Sequence, residues 1–310
     1  MIEPQRRLLA DAVRNRAFKL ALDSTVPPSG QVLDLGCGTG YLSLLAVAAG
    51  AAKVIAVEAE PGLAHLAERV LRANGAAKKV QVVAAASHDI ALKGSGTADV
   101  VVSETLGNHA FEEHLIENLM DARRFLKPGG TMIPRAVTVW ACPVVAPRLR
   151  ESVDTWDTGD DFDLTAARRV GLNNLFVRSA GPGDLLEGGE IALDQATFIR
   201  NDGRPGDEAS QRKATARWTL AKATTIHGFM LWWTAELAPG VVLSTAPSAP
   251  ETHWEQVFLP LMEPLAGGRK DEIILHYFSD TRWSTGCRVT WSGSVGRLPY
   301  RMDNRDGWPR

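Results

Sequence analysis

The chain has 310 residues, 45% of them hydrophobic and 23% charged, and a formal net charge of −2. That length is enough for two hydrophobic cores, and the composition is that of an ordinary globular protein. So small a net charge gives no overall attraction to nucleic acid, and no apolar run is long enough to span a bilayer as a helix, so neither is an expected partner. Residues 1–16 carry four arginines and no apolar stretch, which does not read as a secretory leader. From there to about Pro134, short β-rich runs alternate with helical segments. Residues 31–35, 53–58, 80–84, 98–103 and 130–133 are apolar runs bounded by Gly, Asp or Glu, the pattern of strands buried on both faces of a parallel sheet. Residues 41–49, 61–74 and 112–125 fill the intervals as helices. In the last of these Leu115, Leu119, Ala122 and Leu126 recur at helical spacing, and Pro61 and Lys127-Pro128-Gly129-Gly130 supply the punctuation. The alternation predicts a doubly wound α/β sheet.

Beyond Pro134 the pattern changes. Residues 138–145, 214–223, 227–237, 254–259, 272–278 and 287–291 are strand-like and separated by turn-rich stretches. Over 227–237, Phe229, Leu231, Trp233, Ala235 and Leu237 alternate along one face, the sign of a half-buried strand. This half predicts an antiparallel sandwich or barrel. The stretch 150–187 is polar, with a short helical piece near 164–172, and reads as an excursion from it.

Gly36, Gly38 and Gly40 follow the first strand and open a helix, where glycine permits a tight turn and close approach of a ligand to the backbone. The spacing is G-x-G-x-G, one residue short of the dinucleotide fingerprint, so a nicotinamide-dependent oxidoreductase is the weaker reading. Glu58 ends the next strand, where a carboxylate can accept from ribose hydroxyls; the alternative is an ordinary glycine-rich turn with a solvated strand-end residue. Downstream, 103–113 places Glu104 at a strand end and Glu112 and Glu113 one loop later, with His109 and His114 alongside. Carboxylates over a nucleoside site suit capture of a planar cation. Cys37, Cys142 and Cys287 are isolated and His65, His227 and His276 lack ligand spacing, so a reducing, cytoplasmic setting and no metal are expected.

Asp34-Leu35-Gly36-Cys37-Gly38-Thr39-Gly40 resembles the first motif of class I S-adenosylmethionine-dependent methyltransferases, and the rest of the chain resembles the protein arginine methyltransferases among them. Ser103-Glu104 through Glu113 is similar to that family's double-glutamate loop, with Glu104 and Glu113 at the two glutamate positions. Thr252-His253-Trp254 resembles its Thr-His-Trp loop, 126–134 its domain-joining segment, and Asp11-Ala12-Val13-Arg14 its Asp-Glu-Val-Arg. The segment 150–187, with Phe162-Asp163-Leu164, is similar in position and length to its dimerisation arm.

The resemblance implies a Rossmann-like, S-adenosyl-L-methionine-binding domain with an N-terminal helix over 1–134. It implies an antiparallel β-barrel substrate domain over 135–310, a helical arm at about 150–187, and a head-to-tail homodimer. It also implies Glu104 and Glu113 as a guanidinium clamp, His253 paired with Asp11 as proton acceptor, and Arg14 on the methionine carboxylate. Asp34, Gly36, Gly38, Gly40 and Glu58 would surround the nucleoside, and Ser87 and His88 fall where the family contacts adenine. Thr105, Leu106 and Asn108 stand in place of the usual Trp-Met and an aromatic, and with Trp254 would form the substrate-pocket wall. The family's tyrosine-bearing N-terminal motif has no counterpart here, so a different lid or a more exposed cofactor is expected.

A guanidinium is planar, stays charged at neutral pH and offers paired N–H donors that two carboxylates can grip. The expected reaction is N-methylation of an arginine guanidino nitrogen in a protein or peptide. The alternatives are free arginine or another small guanidino metabolite, and a non-catalytic, cofactor-binding partner subunit. Acids in a first helical turn also serve the macrodipole, which is the reading of Glu112.

Overall fold

The computed structural model describes residues 2–90, 96–156, 161–283 and 286–307. Two helices open the chain, α1 (Ile2–Ala10) and α2 (Ala12–Thr25). Asp11 separates them: it leaves the helical conformation, and its Oδ1 accepts the Arg14 backbone N–H at 2.9 Å as the N-cap of α2. There follow β1 (Gln31–Leu35), α3 (Tyr41–Ala48), β2 (Lys53–Glu58), α4 (Pro61–Ala73), β3 (Val80–Ala84), β4 (Ala98–Ser103), α5 (Leu115–Ala122) and β5 (Leu126–Ile133). The strands form one parallel sheet in the order β3-β2-β1-β4-β5. Its direction reverses between β1 and β4, and the crevice at their carboxyl ends is where such sheets bind ligands. Val100, Val101 and Val102 are fully buried, which is why β4 reads as one apolar run.

The helix expected over 112–125 begins three residues late. His114 adopts a left-handed conformation (φ 60°) and α5 starts at Leu115, so Glu112 and Glu113 belong to the preceding loop rather than to a helical turn.

The remaining elements are β6 (Ala136–Val144), α6 (Pro147–Glu151), α7 (Thr165–Leu172), β7 (Phe176–Arg178), β8 (Ile191–Thr197), β9 (Gln211–Thr219), β10 (Thr224–Ala238), β11 (Val241–Ser244), β12 (Gln256–Gly267), β13 (Glu272–Asp280), β14 (Arg288–Val295) and β15 (Leu298–Asp303). They form two antiparallel sheets, β7-β12-β10-β6-β8 with β11 beside β10, and β15-β14-β13-β9. The sheets enclose Phe229, Phe258, Leu275 and Trp291 in a barrel-like core, and the Trp291 indole N–H ties them by donating to Pro260 O at 2.8 Å. The alternation expected over 227–237 does not leave one face exposed: β10 is buried on both faces from Ile226 to Trp233. It is a central strand with α2 and α6 also packed against it. Trp233 and Trp254 join the core of the parallel sheet rather than the barrel interior, so the seam between the two halves is packed and apolar.

The helices α6 and α7 form the excursion, braced by the ion pairs of Asp154 with Arg150 (2.6 Å) and Arg168 (2.8 Å). Phe162 beside them is 76% exposed; residues 157–160 of this stretch lie outside the described residues. Among the described residues no helix is long and apolar enough to cross a membrane, and no cluster of His, Cys, Asp or Glu is arranged to hold a metal ion. The three cysteines are free and buried.

Candidate active site

The turn after β1 forms a cradle. Gly36 and Cys37 donate their backbone N–H groups to Val57 O at 2.9 and 3.0 Å, and Gly38 donates to Glu58 Oε2 at 2.9 Å. Gly38 has φ +54°, a left-handed conformation that favours glycine, and a Cβ added there would only displace the end of the Gln5 side chain of α1. Glu58 Oε1 also accepts the Glu60 N–H at 3.0 Å, which leaves further lone pairs on both oxygens. Asp34 is fully buried. Burial pushes its carboxyl up to about 6 against the Ser43 hydroxyl, which donates to Oδ2 at 2.6 Å, while Oδ1 has no partner among the described residues. Gly36, Cys37, Gly38, Glu58 and Arg14 line a cavity of about 220 Å³ at the carboxyl ends of β1 and β2, with Asp34 and Gly40 outside its lining.

The loop from Ser103 to His114 stands beside it. Glu104 is buried, and its Oε2 accepts from Arg14 through both Nε, at 2.8 Å, and Nη2. Desolvation raises its carboxyl above the ordinary value, with Arg14 opposing that shift. Glu113 is solvent-exposed at the cavity mouth. Desolvation by the surrounding protein, then the charges of Glu104 and Glu112, push it up to about 7. Glu112, read from sequence as a helix-start residue, instead reaches back across the loop, where its Oε1 accepts the Asn108 N–H at 2.8 Å. Gly107 makes that closure possible, since a Cβ there would fall 2.1 Å from Glu112 Cγ.

Indole and phenol groups from the other half clamp the loop. Trp254 Nε1 donates to Leu106 O at 2.6 Å and Trp233 Nε1 to Gly107 O at 3.1 Å, with the two rings edge to face at 4.9 Å. Asn108 Nδ2 donates to Trp254 O. His109 is buried against the Tyr277 hydroxyl, and desolvation lowers its pKa to about 4, so it is a neutral tether and not a substrate contact. Trp233 and Tyr277 were not readable as site residues. Adjacent tryptophans in an apolar strand and a strand tyrosine look like core, and nothing local marks their partner.

His253 completes the site. Its Nδ1 lies 2.8 Å from Asp11 Oδ2, which also accepts the His253 backbone N–H at 3.0 Å. Burial alone would raise the Asp11 carboxyl, but the hydrogen bonds from His253 and Arg14 hold it below its ordinary value. A second cavity, of about 370 Å³, is lined by Glu104, Leu106, Asn108, Glu113, His253 and Trp254. Thr105, expected in its wall, packs over Gly36 and lines the cradle instead. Ser87 and His88 occupy a 3-10 turn just past β3, outside the lining of either cavity. Arg124 holds Ser87 O at 2.7 Å, and the His88 side chain is exposed. Leu8 of α1 borders both cavities, Gln5 the cradle, and Arg7 the second cavity, where its Nη2 donates to His253 O at 3.2 Å. This helix covers the site.

A parallel sheet reversing at a glycine cradle, with a strand-end carboxylate and a buried aspartate, defines the class I methyltransferase fold. Residues 32–130 match the family profile of a methyltransferase domain, and residues 135–282 that of the arginine methyltransferase oligomerization subdomain. The chain is 30% identical over 302 residues to the "Probable protein arginine N-methyltransferase 6.1" of Oryza sativa subsp. indica (86% of this chain, 78% of the relative). It is also 30% identical over 286 residues to "Protein arginine N-methyltransferase 6" of Xenopus tropicalis (88% and 82%). A chain of the Trypanosoma brucei PRMT1 enzyme–prozyme heterotetrameric complex with AdoHcy shares its fold, with a TM-score of 0.80 at 22% identity over 98% of both chains. This chain belongs to the protein arginine N-methyltransferase family, whose cofactor is S-adenosylmethionine. The cradle fits that cofactor: Gly38 holds a left-handed turn that favours glycine, Glu58 retains free acceptor capacity, and Arg14 supplies a buried cation.

Proposed function

We propose that the chain transfers a methyl group from S-adenosylmethionine to a guanidino nitrogen of arginine in a protein or peptide. One observation carries this reading: Glu104 and Glu113 line both the cradle and the second cavity, at the point where the two meet. The cofactor, when bound, supplies an electrophilic methyl group on a sulfonium. Glu58 is placed for its ribose hydroxyls and Arg14 for its carboxylate, with Asp34, Gly36 and Gly40 shaping the cradle. Ser87 and His88, just beyond the β3 end that pairs with Glu58, are the candidates for the adenine edge. Glu104 and Glu113 accept N–H groups of the guanidinium, orient one nitrogen toward the cradle and hold positive charge on the far nitrogens. Asp11 fixes His253 through Nδ1, which leaves Nε2 to take the proton released from the methylated product. Leu106, Asn108 and Trp254 shape the pocket.

We divide the chain into a cofactor domain over 1–134 and a substrate domain over 135–310. Assembly as a homodimer through the 150–187 arm is supported by the exposure of Phe162, and cytoplasmic residence by three free, buried cysteines. A non-catalytic role is not favoured, because such a subunit has no need to keep Glu104, Glu113 and His253 around one cavity. Mass spectrometry of arginine peptides and of free arginine incubated with the purified chain and S-adenosylmethionine is the direct test. Methyl groups are expected on peptide arginine; methylation of free arginine alone would displace this reading in favour of a small guanidino substrate.

The clamp works only with Glu113 ionised. Since its carboxyl sits at about 7 in the unliganded protein, kcat/KM is expected to rise with pH through about 7, the protonated form below that value being unable to accept both N–H groups. A bound guanidinium favours the carboxylate, so the midpoint of the kcat profile lies at lower pH. Glu113→Gln abolishes the acid limb together with most activity. A wild-type kcat/KM that does not change across this range is incompatible with the assignment.

A further inference from the structure

We propose that Arg7 is a specificity-determining residue of the substrate cavity, where it reads a carboxylate that the peptide carries close to its target arginine. The proposal rests on the peptide-methylating reading above and adds to it the charge of the group beside the target. Arg7 comes from α1, the helix that covers the site, and it borders the cavity of about 370 Å³ that Glu104 and Glu113 also line. Its Nη2 donates to His253 O at 3.2 Å, and His253 lines the same cavity, so the guanidinium stands on that wall.

The carboxylates nearest to hand are engaged elsewhere. Glu3, one turn earlier on α1, is spaced to neutralise Arg7, but Arg6 takes it, with Nε donating to Glu3 Oε2 at 2.8 Å. Glu104, within the cavity, accepts from Arg14. Glu255, on the same lining, accepts from the Ser179 hydroxyl at 2.8 Å. Among the described residues no carboxylate lies within ion-pair distance of Arg7, and no other Lys or Arg lines this cavity. A guanidinium has more N–H donors than a single carbonyl uses, and the remaining fork fits a carboxylate through parallel charge-assisted bonds. The cavity therefore offers Glu113 to a cation and Arg7 to an anion, the pattern that suits a substrate with charges of both signs. Two sources supply such a carboxylate: the side chain of a neighbouring Asp or Glu, and the C-terminus of a peptide that ends at the target arginine. In an extended peptide successive side chains face opposite ways, so a side chain reaches Arg7 from one or two positions and not from all.

The test measures kcat and KM for peptides with one target arginine and either glutamate or glutamine at each neighbouring position. A further pair ends at the target arginine, as the free acid or as the amide. Wild type is expected to show a KM lower by roughly two- to fivefold for one or two of the carboxylate-bearing peptides, the size of a solvent-accessible charge pair, with the gap closing as salt is raised. The pair that shows the gap identifies the source of the carboxylate. Arg7→Gln brings the paired KM values together, Arg7→Glu inverts them, and Arg7→Lys, which keeps the charge, keeps the sign of the preference. Calorimetric cofactor binding by each variant shows that it is folded. A contact that only pins α1 to the Thr-His-Trp loop would alter turnover of all peptides alike and leave the wild-type ratios intact in Arg7→Gln. That result, equal KM values within every wild-type pair, or a gap of one size at every position, overturns the assignment while arginine methylation stands. Failure of wild type to methylate any of the peptides overturns the function itself and the role of Arg7 with it.

Discussion

Replacement of Glu104 by Gln is expected to lower kcat by on the order of 10²- to 10⁴-fold, the range for losing a preorganised charged contact to the reacting group. Gln matches the shape of Glu and keeps one oxygen to accept from Arg14, so the loop should keep its position. What it loses is the negative charge that concentrates the guanidinium cation on the far nitrogens. Its amide N–H₂ also turns one acceptor site into a donor facing another donor. S-adenosylmethionine affinity should change little, because Arg14 remains available for the cofactor carboxylate. Single-turnover methyl transfer and calorimetric cofactor binding read the two effects separately. Near-native turnover in this variant would remove Glu104 from the clamp.

Arg14→Met is expected to weaken S-adenosylmethionine binding by roughly 10- to 150-fold, the size of one lost charge-assisted hydrogen bond. It should also destabilise the unliganded protein. The side chains of Arg14 and Glu104 are 6% and 3% exposed, so removal of the cation strands a buried carboxylate, at a cost of about 3–5 kcal/mol. The Glu104→Met single variant strands the guanidinium in the same way, although Asn15 Oδ1 still accepts from Arg14 Nη1 at 2.9 Å. Replacing both by Met removes both charges, and apolar residues of similar volume suit the site, so the double variant should recover most of the lost stability while remaining inactive. Denaturant melts of the four proteins give the coupling directly. Strict additivity would mean that the pair is not a coupled buried unit.

The physical origin of this pair is the arrangement of the two cavities around one carboxylate. In the unliganded chain the cation nearest Glu104 is the protein's own Arg14, held where substrate and cofactor charges meet. The same closeness raises Glu113, whose carboxyl faces two other acids across the cavity mouth, and that repulsion is relieved when a guanidinium enters.

The strands β1 to β4 were readable to the residue, because short apolar runs bounded by polar or turn residues mark them, in the buried strands β1 and β4 as in the partly exposed edge strand β3. The cradle was readable from glycine spacing, and Glu104, Glu113, Asp11 and His253 from motif resemblance. The errors have definite causes. The helix pattern of Leu115, Leu119 and Ala122 extends naturally back to Glu112, and only the left-handed His114 shows that the chain turns there first. The family resemblance puts Thr105 in the substrate wall, but which side it faces depends on the path of the chain over Gly36.

The sequence by itself determined the doubly wound sheet, the antiparallel second half and the chemical type of the site, since each rests on local periodicity or on a contiguous motif. Apart from Asp11 with His253, which the family resemblance implied, tertiary structure alone decided which groups meet. Arg14 and Glu104 are 90 residues apart, Trp233 and Gly107 126, His109 and Tyr277 168, and Asp11 and His253 242. The hydrogen bonds that hold the glutamate loop come from strands of the other half, and α1 closes over the site from the N-terminus. Separations of that length leave no periodic trace in a chain, because it is packing of the two halves across an apolar seam that brings such groups into contact.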